Sequence, residues 1–293
     1  MFRYSSVLVT LALLTCHSMG QQTPTSIPTS VQTGLLLDAA GPKQREAIKN
    51  VYMIVCPLTD PPGSFVYGTG FLLHQGFVVT NAHVVEKCNK SNLFALAPDS
   101  QKVAFKKIVQ DDGRDLAILV PAVALGQGFT LSTQSDPRPG SEVSTWGYPF
   151  AYTGATPLLS VGHVAGYRTD GSHGRPVKHV VVNAAFNHGN SGGPLLLAQE
   201  NSVIGIVVLT MHFYPEYIKQ MLDQMSQATG GWGYGMTITR QDGSQAKLNL
   251  SIPQMTAMIL DEFYQKTQTM IGEAISASEL AAMLNERKQE LEH

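Results

Sequence analysis

Three short segments hold residue types that can do chemistry together. The first is Thr80-Asn81-Ala82-His83-Val84-Val85, at the end of an apolar run that starts at Gly68-Thr69-Gly70-Phe71. The second is Asp115-Leu116-Ala117-Ile118-Leu119. The third is Gly189-Asn190-Ser191-Gly192-Gly193-Pro194. Singly, each is commonplace: a histidine after a strand, an aspartate before an apolar run, a glycine-rich turn. Together they have a physical logic. A serine hydroxyl is a weak nucleophile near neutral pH, so a base must take its proton. An imidazole titrates near working pH and suits that task. A buried carboxylate fixes its tautomer and stabilises the imidazolium. His83, Asp115 and Ser191 are therefore the candidate base, orienting acid and nucleophile. The glycines after Ser191 fit a tight turn. The backbone of Gly189, Asn190 and Ser191 is then the candidate oxyanion hole, with the Gly189 and Ser191 N–H groups aimed at one point. Each such donor is worth about 3–4 kcal/mol to a transition state.

These residues must be held by short strands. Apolar runs at 50–56, 67–73, 76–80, 92–97, 102–109 and 115–120 form one group. Runs at 142–147, 157–166, 178–184, 193–199, 202–209 and 233–239 form a second. Turn signals such as Pro61-Pro62-Gly63, Asp111-Asp112-Gly113 and Pro137-Arg138-Pro139-Gly140 separate them. Many short strands with Gly/Pro turns imply an all-β protein. Two groups of six, split near 125–140, imply two barrels. Two regions break this texture. Tyr214, Tyr217, Ile218, Met221, Leu222 and Met225 fall on one helical face, which predicts a helix over 213–225. From Ser251 two helices are expected, opened by the capping-box pairs Ser251/Gln254 and Ser276/Glu279. Met255, Ile259 and Phe263 would line the first, and Leu280, Met283, Leu284 and Leu291 the second.

At this point the chain resembles a chymotrypsin-fold serine protease, most closely the HtrA-type branch. The resemblance covers roughly residues 48–245 and rests on Gly-Thr-Gly-Phe, Thr-Asn-Ala-His-Val-Val, Asp-Leu-Ala-Ile-Leu and Gly-Asn-Ser-Gly-Gly-Pro-Leu, in that order. It implies an all-β fold of two six-stranded antiparallel Greek-key barrels with a C-terminal helical extension, and the same roles for His83, Asp115 and Ser191. It also implies that the specificity pocket lies in Ala184-Ala185-Phe186-Asn187-His188, and that Gly233-Tyr234-Gly235 runs beside the cleft. Ala185, Phe186, His188 and Gly233 are thus the substrate-binding candidates. With no acid at 185, basic side chains find no counter-charge, and Phe186 narrows the pocket. Cleavage after small or medium apolar residues is expected, with His188 and His163 as alternative polar determinants. Asn190 stands where the digestive enzymes carry an aspartate that pairs with a new N-terminus. A neutral side chain cannot form that ion pair, so activation by N-terminal trimming is not expected. The 167–177 loop resembles the loop that HtrA-type enzymes use to sense activators.

The N-terminus reads as an export signal: Arg3, an apolar core over 7–14, then Ser18-Met19-Gly20. Residues 1–20 are assigned to it, with cleavage after Gly20. A lipid anchor at Cys16 is a weaker alternative, because Thr15 spoils the motif. Residues 21–47 form a Pro/Ser/Thr-rich leader and a short helix, 48–130 and 131–245 the two barrels, and 246–290 a helical tail. Residues 291–293 resemble the start of a tag. The tail is too short for the PDZ domain that HtrA-type enzymes commonly append. The expected location is the periplasm or the extracellular space. There Cys56 and Cys88, the two cysteines left after cleavage, form a possible disulfide.

The 293 residues are 43% hydrophobic and 14% charged, with formal net charge −2. That excludes disorder and offers no basic field for nucleic acid. Beyond the N-terminus, apolar stretches stop at lengths like Val203–Leu209, too short to span a bilayer. The nine histidines are scattered without a metal-ligand spacing, so neither metal nor cofactor is expected. The partners expected are protein or peptide substrates, with self-association open through 213–225 or the tail. Two rivals use the same residues: a catalytically idle binding module on this fold, and an esterase, since acyl transfer to serine does not require an amide.

Overall fold

A computed structural model describes residues 40–292 except 59–63, 135, 150–155, 172–173, 209–215, 230–231, 240–244 and 267–270. The expected signal segment, Cys16, most of the leader, the Pro61–Gly63 turn and the terminal His293 lie outside the described residues. So does Tyr214.

The chain forms two compact units. Among the described residues, the larger runs over 40–208 and 271–292, the smaller over 216–266. The larger unit opens with helix α1 (Pro42–Lys49) and holds two closed barrels. The first contains β1 (Val51–Pro57), β2 (Phe65–Leu72), β3 (Val78–Thr80), β4 (Phe94–Leu96), β5 (Lys102–Asp111) and β6 (Leu116–Pro121). The order around it is β1-β2-β3-β6-β5-β4, all antiparallel. A one-turn helix, α2 (Ala82–Val85), follows β3.

The second barrel begins with β7 (Glu142–Gly147), β8 (Leu158–Asp170), β9 (Val177–Val182), β10 (Pro194–Leu197) and β11 (Ser202–Val208). Going round it, β7, β8, β9, a sixth strand, β11 and β10 follow one another, the same order as in the first barrel. The sixth strand is not 233–239 but β14 (Gly272–Ser276), which lies beyond the expected end of the barrel at 245. All five β14 residues are buried. Its one charge, Glu273, is met by Arg168 Nε of β8 at 2.9 Å and His179 Nδ1 of β9 at 3.2 Å. Buried charge needs such partners. A lone glutamate amid five residues gives no alternating pattern, so the strand is hidden from periodicity.

Strand β14 runs directly into α5 (Ala277–Glu286), followed by α6 (Lys288–Glu292). Leu280, Met283 and Leu291 are buried as expected, and Leu284 packs beside them. One apolar cluster joins Val55, Phe71, Trp146, Leu196, Ile275 and Leu280, and so runs through both barrels and α5. Separate clusters fill each barrel around Ile54 and Leu119, and around Val180 and Ile204.

The smaller unit contains α3 (Glu216–Gln227), β12 (Gly233–Thr239), β13 (Gln245–Ser251) and α4 (Ile252–Lys266). The helix expected over 213–225 is thus present as α3, with Ile218, Leu222 and Met225 half-buried. Strand β12 pairs with β13 along its whole length, Gly233 opposite Ser251. The Ser251/Gln254 capping box forms both ways: Ser251 N–H donates to Gln254 Oε1 (2.9 Å) and Gln254 N–H to Ser251 Oγ (3.4 Å).

Candidate active site

His83 sits on α2, between β3 and the Cys56–Cys88 bridge. Its ring Nδ1 lies 2.8 Å from Asp115 Oδ2, and its backbone N–H donates to Asp115 Oδ1 at 2.9 Å. One carboxylate thus grips both the ring and the backbone of the histidine. The ring is partly open to solvent while the Asp115 side chain is only 12% exposed. Asp115 has φ +55. A non-glycine residue pays for this left-handed conformation, which persists only where the surroundings over-determine it. Two bonds hold the backbone there. Asp115 N–H donates to Asp112 O (3.3 Å), and Asn81 Nδ2, fully buried, donates to Asp115 O (3.0 Å).

Ser191 lies on the turn before β10 and is 5% exposed. Gly189 and Gly192 flank it with φ +96 and +86, values that favour glycine. A Cβ at Gly192 would also lie 2.2 Å from both Thr69 O and Thr80 Oγ1, so no side chain fits. The N–H groups of Asn190, Gly192 and Gly193 are bonded to Asn187 O, Val207 O and Asn190 O. The Gly189 and Ser191 N–H groups, on this glycine turn, remain the oxyanion-hole candidates.

Thr69 was visible only as part of a motif, yet it ties this turn to the first barrel. Fully buried on β2, its N–H donates to Ser191 O (2.9 Å) and its hydroxyl to Gly189 O (2.6 Å). The same hydroxyl accepts from Tyr148 N–H (3.0 Å), and Thr80 Oγ1 donates to Thr69 O (2.7 Å). The serine turn is therefore fixed to the strand that leads, through Thr80, to His83. No local sequence signal distinguishes Thr69 from other strand threonines, because its partners, from Thr80 to Ser191, all lie more than ten residues away.

Of the pocket candidates, Ala185 is half-buried, Phe186 buried and His188 exposed. Phe186 lies against the backbone of β14: a Cβ at Gly272 would approach its ring to 2.5 Å. This fixes the ring at a point the sequence reading did not connect with it. His163 is exposed and pairs through its backbone with Asn183, just before this segment. Gly233 lies on β12, in neither barrel's sheet. Asn190 is 3% exposed, and its Oδ1 has no hydrogen-bond partner among the described residues. Cys56 and Cys88 are bonded to each other, with Cα atoms 5.0 Å apart. Among the described residues, no group of three or more His, Cys, Asp or Glu could hold a metal ion, and no helix is long and apolar enough to cross a membrane.

The Ser276/Glu279 pair is not a capping box. Ser276 Oγ does accept from Ser278 N–H (3.3 Å), but Glu279 turns away. Its carboxylate accepts from Arg114 Nε (3.3 Å) and from Lys178 N–H (3.1 Å).

Residues 68–206 match the trypsin-like peptidase domain family. The chloroplastic Protease Do-like 1 of Arabidopsis thaliana is 34% identical over 157 residues, which are 51% of this chain and 34% of that protein. A probable periplasmic serine endoprotease, DegP-like, of Chlamydia trachomatis is 30% identical over 203 residues, 62% of this chain and 38% of that protein. The chain spans well under half the length of these relatives. Among solved structures, the Rv3671c protease of M. tuberculosis in its active form is 18% identical with a TM-score of 0.55, covering 90% of this chain and 91% of that one. The HtrA-type protease AlgW with a tripeptide has a TM-score of 0.53 at 17% identity, covering 84% and 62%. These two likenesses concern the fold.

Proposed function

We propose that this chain, which carries a trypsin-like peptidase domain of the HtrA branch on a chymotrypsin-type double barrel, is an exported serine endopeptidase working through an acyl-enzyme. Ser191 Oγ attacks the scissile carbonyl while His83 takes its proton. Asp115 holds the imidazole in the required tautomer and stabilises its charge. The Gly189 and Ser191 N–H groups receive the developing oxyanion. His83 then gives its proton to the leaving amine, and water repeats the sequence to release the acid. The observation that carries this reading is the grip of Asp115 on both the ring and the backbone of His83, in a fold that ties the serine turn to the same barrel through Thr69.

The primary specificity pocket is assigned to Ala185, Phe186 and His188. It has no acidic residue at 185, and a buried ring at 186, which supports small or medium apolar side chains before the cleaved bond. Regulation by a trypsin-style ion pair at position 190 is not part of this reading, since Asn190 carries no charge. Export is supported by the N-terminal sequence, by the Cys56–Cys88 bridge and by the word periplasmic in the name of the Chlamydia relative.

A peptide-library cleavage profile, run on the full chain with Ser191→Ala as control, tests the reading. Cleavage after Val, Ala, Leu or Met, abolished in Ser191→Ala, is expected. Preferential cleavage after Arg would contradict the pocket assignment. Ester turnover without peptide cleavage would contradict the peptidase reading in favour of an esterase.

A further inference from the structure

Arg114 immediately precedes Asp115, and the mechanism above gives it no role. It is 2% exposed. A guanidinium enters an interior only where carboxylates meet it. Three converge here. Asp111, in the same turn, meets Nη1. Glu286 takes Nη1 (2.9 Å) and Nη2 (2.5 Å) as a two-pronged pair. Glu279 takes Nε at 3.3 Å. Such fork-to-carboxylate pairing fixes direction as well as distance.

The two glutamates come from α5, more than 160 residues downstream. Their spacing of seven places them on one helix face. Glu279 also binds the second barrel through Lys178 N–H at 3.1 Å. From the loop between β8 and β9, Arg175 packs onto the same turn: a Cβ at Gly113 would lie 3.0 Å from its Cδ. The Arg114 N–H is itself anchored to Asp111 Oδ1 at 3.1 Å. The turn that carries Asp115 is thus gripped by its own aspartate, by α5 and by a loop of the second barrel.

That grip has a specific object. Asp115 is held at φ +55, and its two carboxylate oxygens make the two contacts that orient His83. Its backbone neighbour on the N-terminal side, Arg114, commits four side-chain hydrogen bonds to carboxylates. We infer that Arg114 is a positioning residue for Asp115: clamped by Glu279 and Glu286, it fixes the left-handed turn from which Asp115 aims His83. The inference rests on the triad reading. It makes α5 part of the working site, so that lifting this helix or displacing Arg175 from the turn loosens Asp115.

The test compares the full wild-type chain with Arg114→Met, Arg114→Lys and the pair Glu279→Gln/Glu286→Gln. Rates on a peptide anilide with an apolar residue before the scissile bond are read well below each variant's unfolding temperature. Fluorophosphonate labelling is measured in parallel. Arg114→Met is expected to lose about 10- to 100-fold in kcat, the scale of a misplaced reacting group. KM should stay within about 2-fold, because substrate contacts are untouched. The glutamine pair should move the same way, and Arg114→Lys should recover part of the loss. Wild-type kcat in the variants, with only the unfolding temperature lowered, would overturn the inference and leave an ion cluster of purely structural value. If Arg114→Met does not fold, the glutamine pair decides. A wild type that neither labels at Ser191 nor cleaves would overturn the hydrolase reading itself; a wild type that labels and cleaves, beside indifferent variants, would overturn only the role of Arg114.

Discussion

Thr69 shows how one hydroxyl can hold a site together. It accepts from Tyr148 N–H and donates to Gly189 O while fully buried. In Thr69→Val the shape is kept, but a buried N–H and a buried carbonyl each lose a partner, at about 1–3 kcal/mol apiece. We expect unfolding in urea to show a loss of at least about 2 kcal/mol, with slower turnover as the Gly189 carbonyl is released. Stability within error of wild type would show that these two bonds carry little. Glu273 supports a second prediction at this scale. Burial alone would raise its carboxyl, but hydrogen bonds with His179 and Arg168 outweigh that and hold it below the ordinary range. A depressed carboxylate stabilises the fold above its unfolded value of about 4.3 and stops doing so as pH falls through its lower folded value. Unfolding temperature should therefore fall steeply below about pH 4. Glu273→Gln should flatten that limb; an unchanged acid limb would contradict it.

Among the elements, those around the candidate triad were the most legible. Strands 142–147 and 202–209 were read at their observed positions or within one residue, because each is a local apolar run between turns. The sixth strand of the second barrel was not. Gly272–Ser276 has no alternation, and it is recognised only by the partners that β9 and β11 offer it. The run at 233–239 is a strand, as read, but it pairs with β13 and not with the barrel. Glu279 failed for a related reason. Its spacing from Ser276 fits a cap, yet Arg114 and Lys178 N–H compete for the same carboxylate and win. The Cys56–Cys88 bridge, by contrast, was legible as a possible pair, from the expected export and the two cysteines that cleavage after Gly20 would leave. It joins the end of β1 to the segment just after α2, across 32 residues. Replacing both cysteines with serine should cost about 3–4 kcal/mol by the loop-closure argument. Because α2 carries His83, turnover should also become more sensitive to heat. Equal thermal inactivation with and without reductant would contradict this.

In chain order, the smaller unit falls between the fifth and sixth strands of the larger unit's second barrel. Residues 211–268 leave the barrel after β11, and the chain returns as β14 and α5. Both barrels and α5 share one apolar cluster, so the tail is a component of the fold's core. The account stands on a nucleophilic Ser191 activated by His83. A fluorophosphonate probe, reacted with the full chain and located by peptide mass mapping, tests this most directly. It should modify Ser191 in the wild type, react at least about 1,000-fold more slowly in His83→Ala, and leave Ser191→Ala unmodified. No modification of the folded wild type, or modification at another residue, would contradict the account.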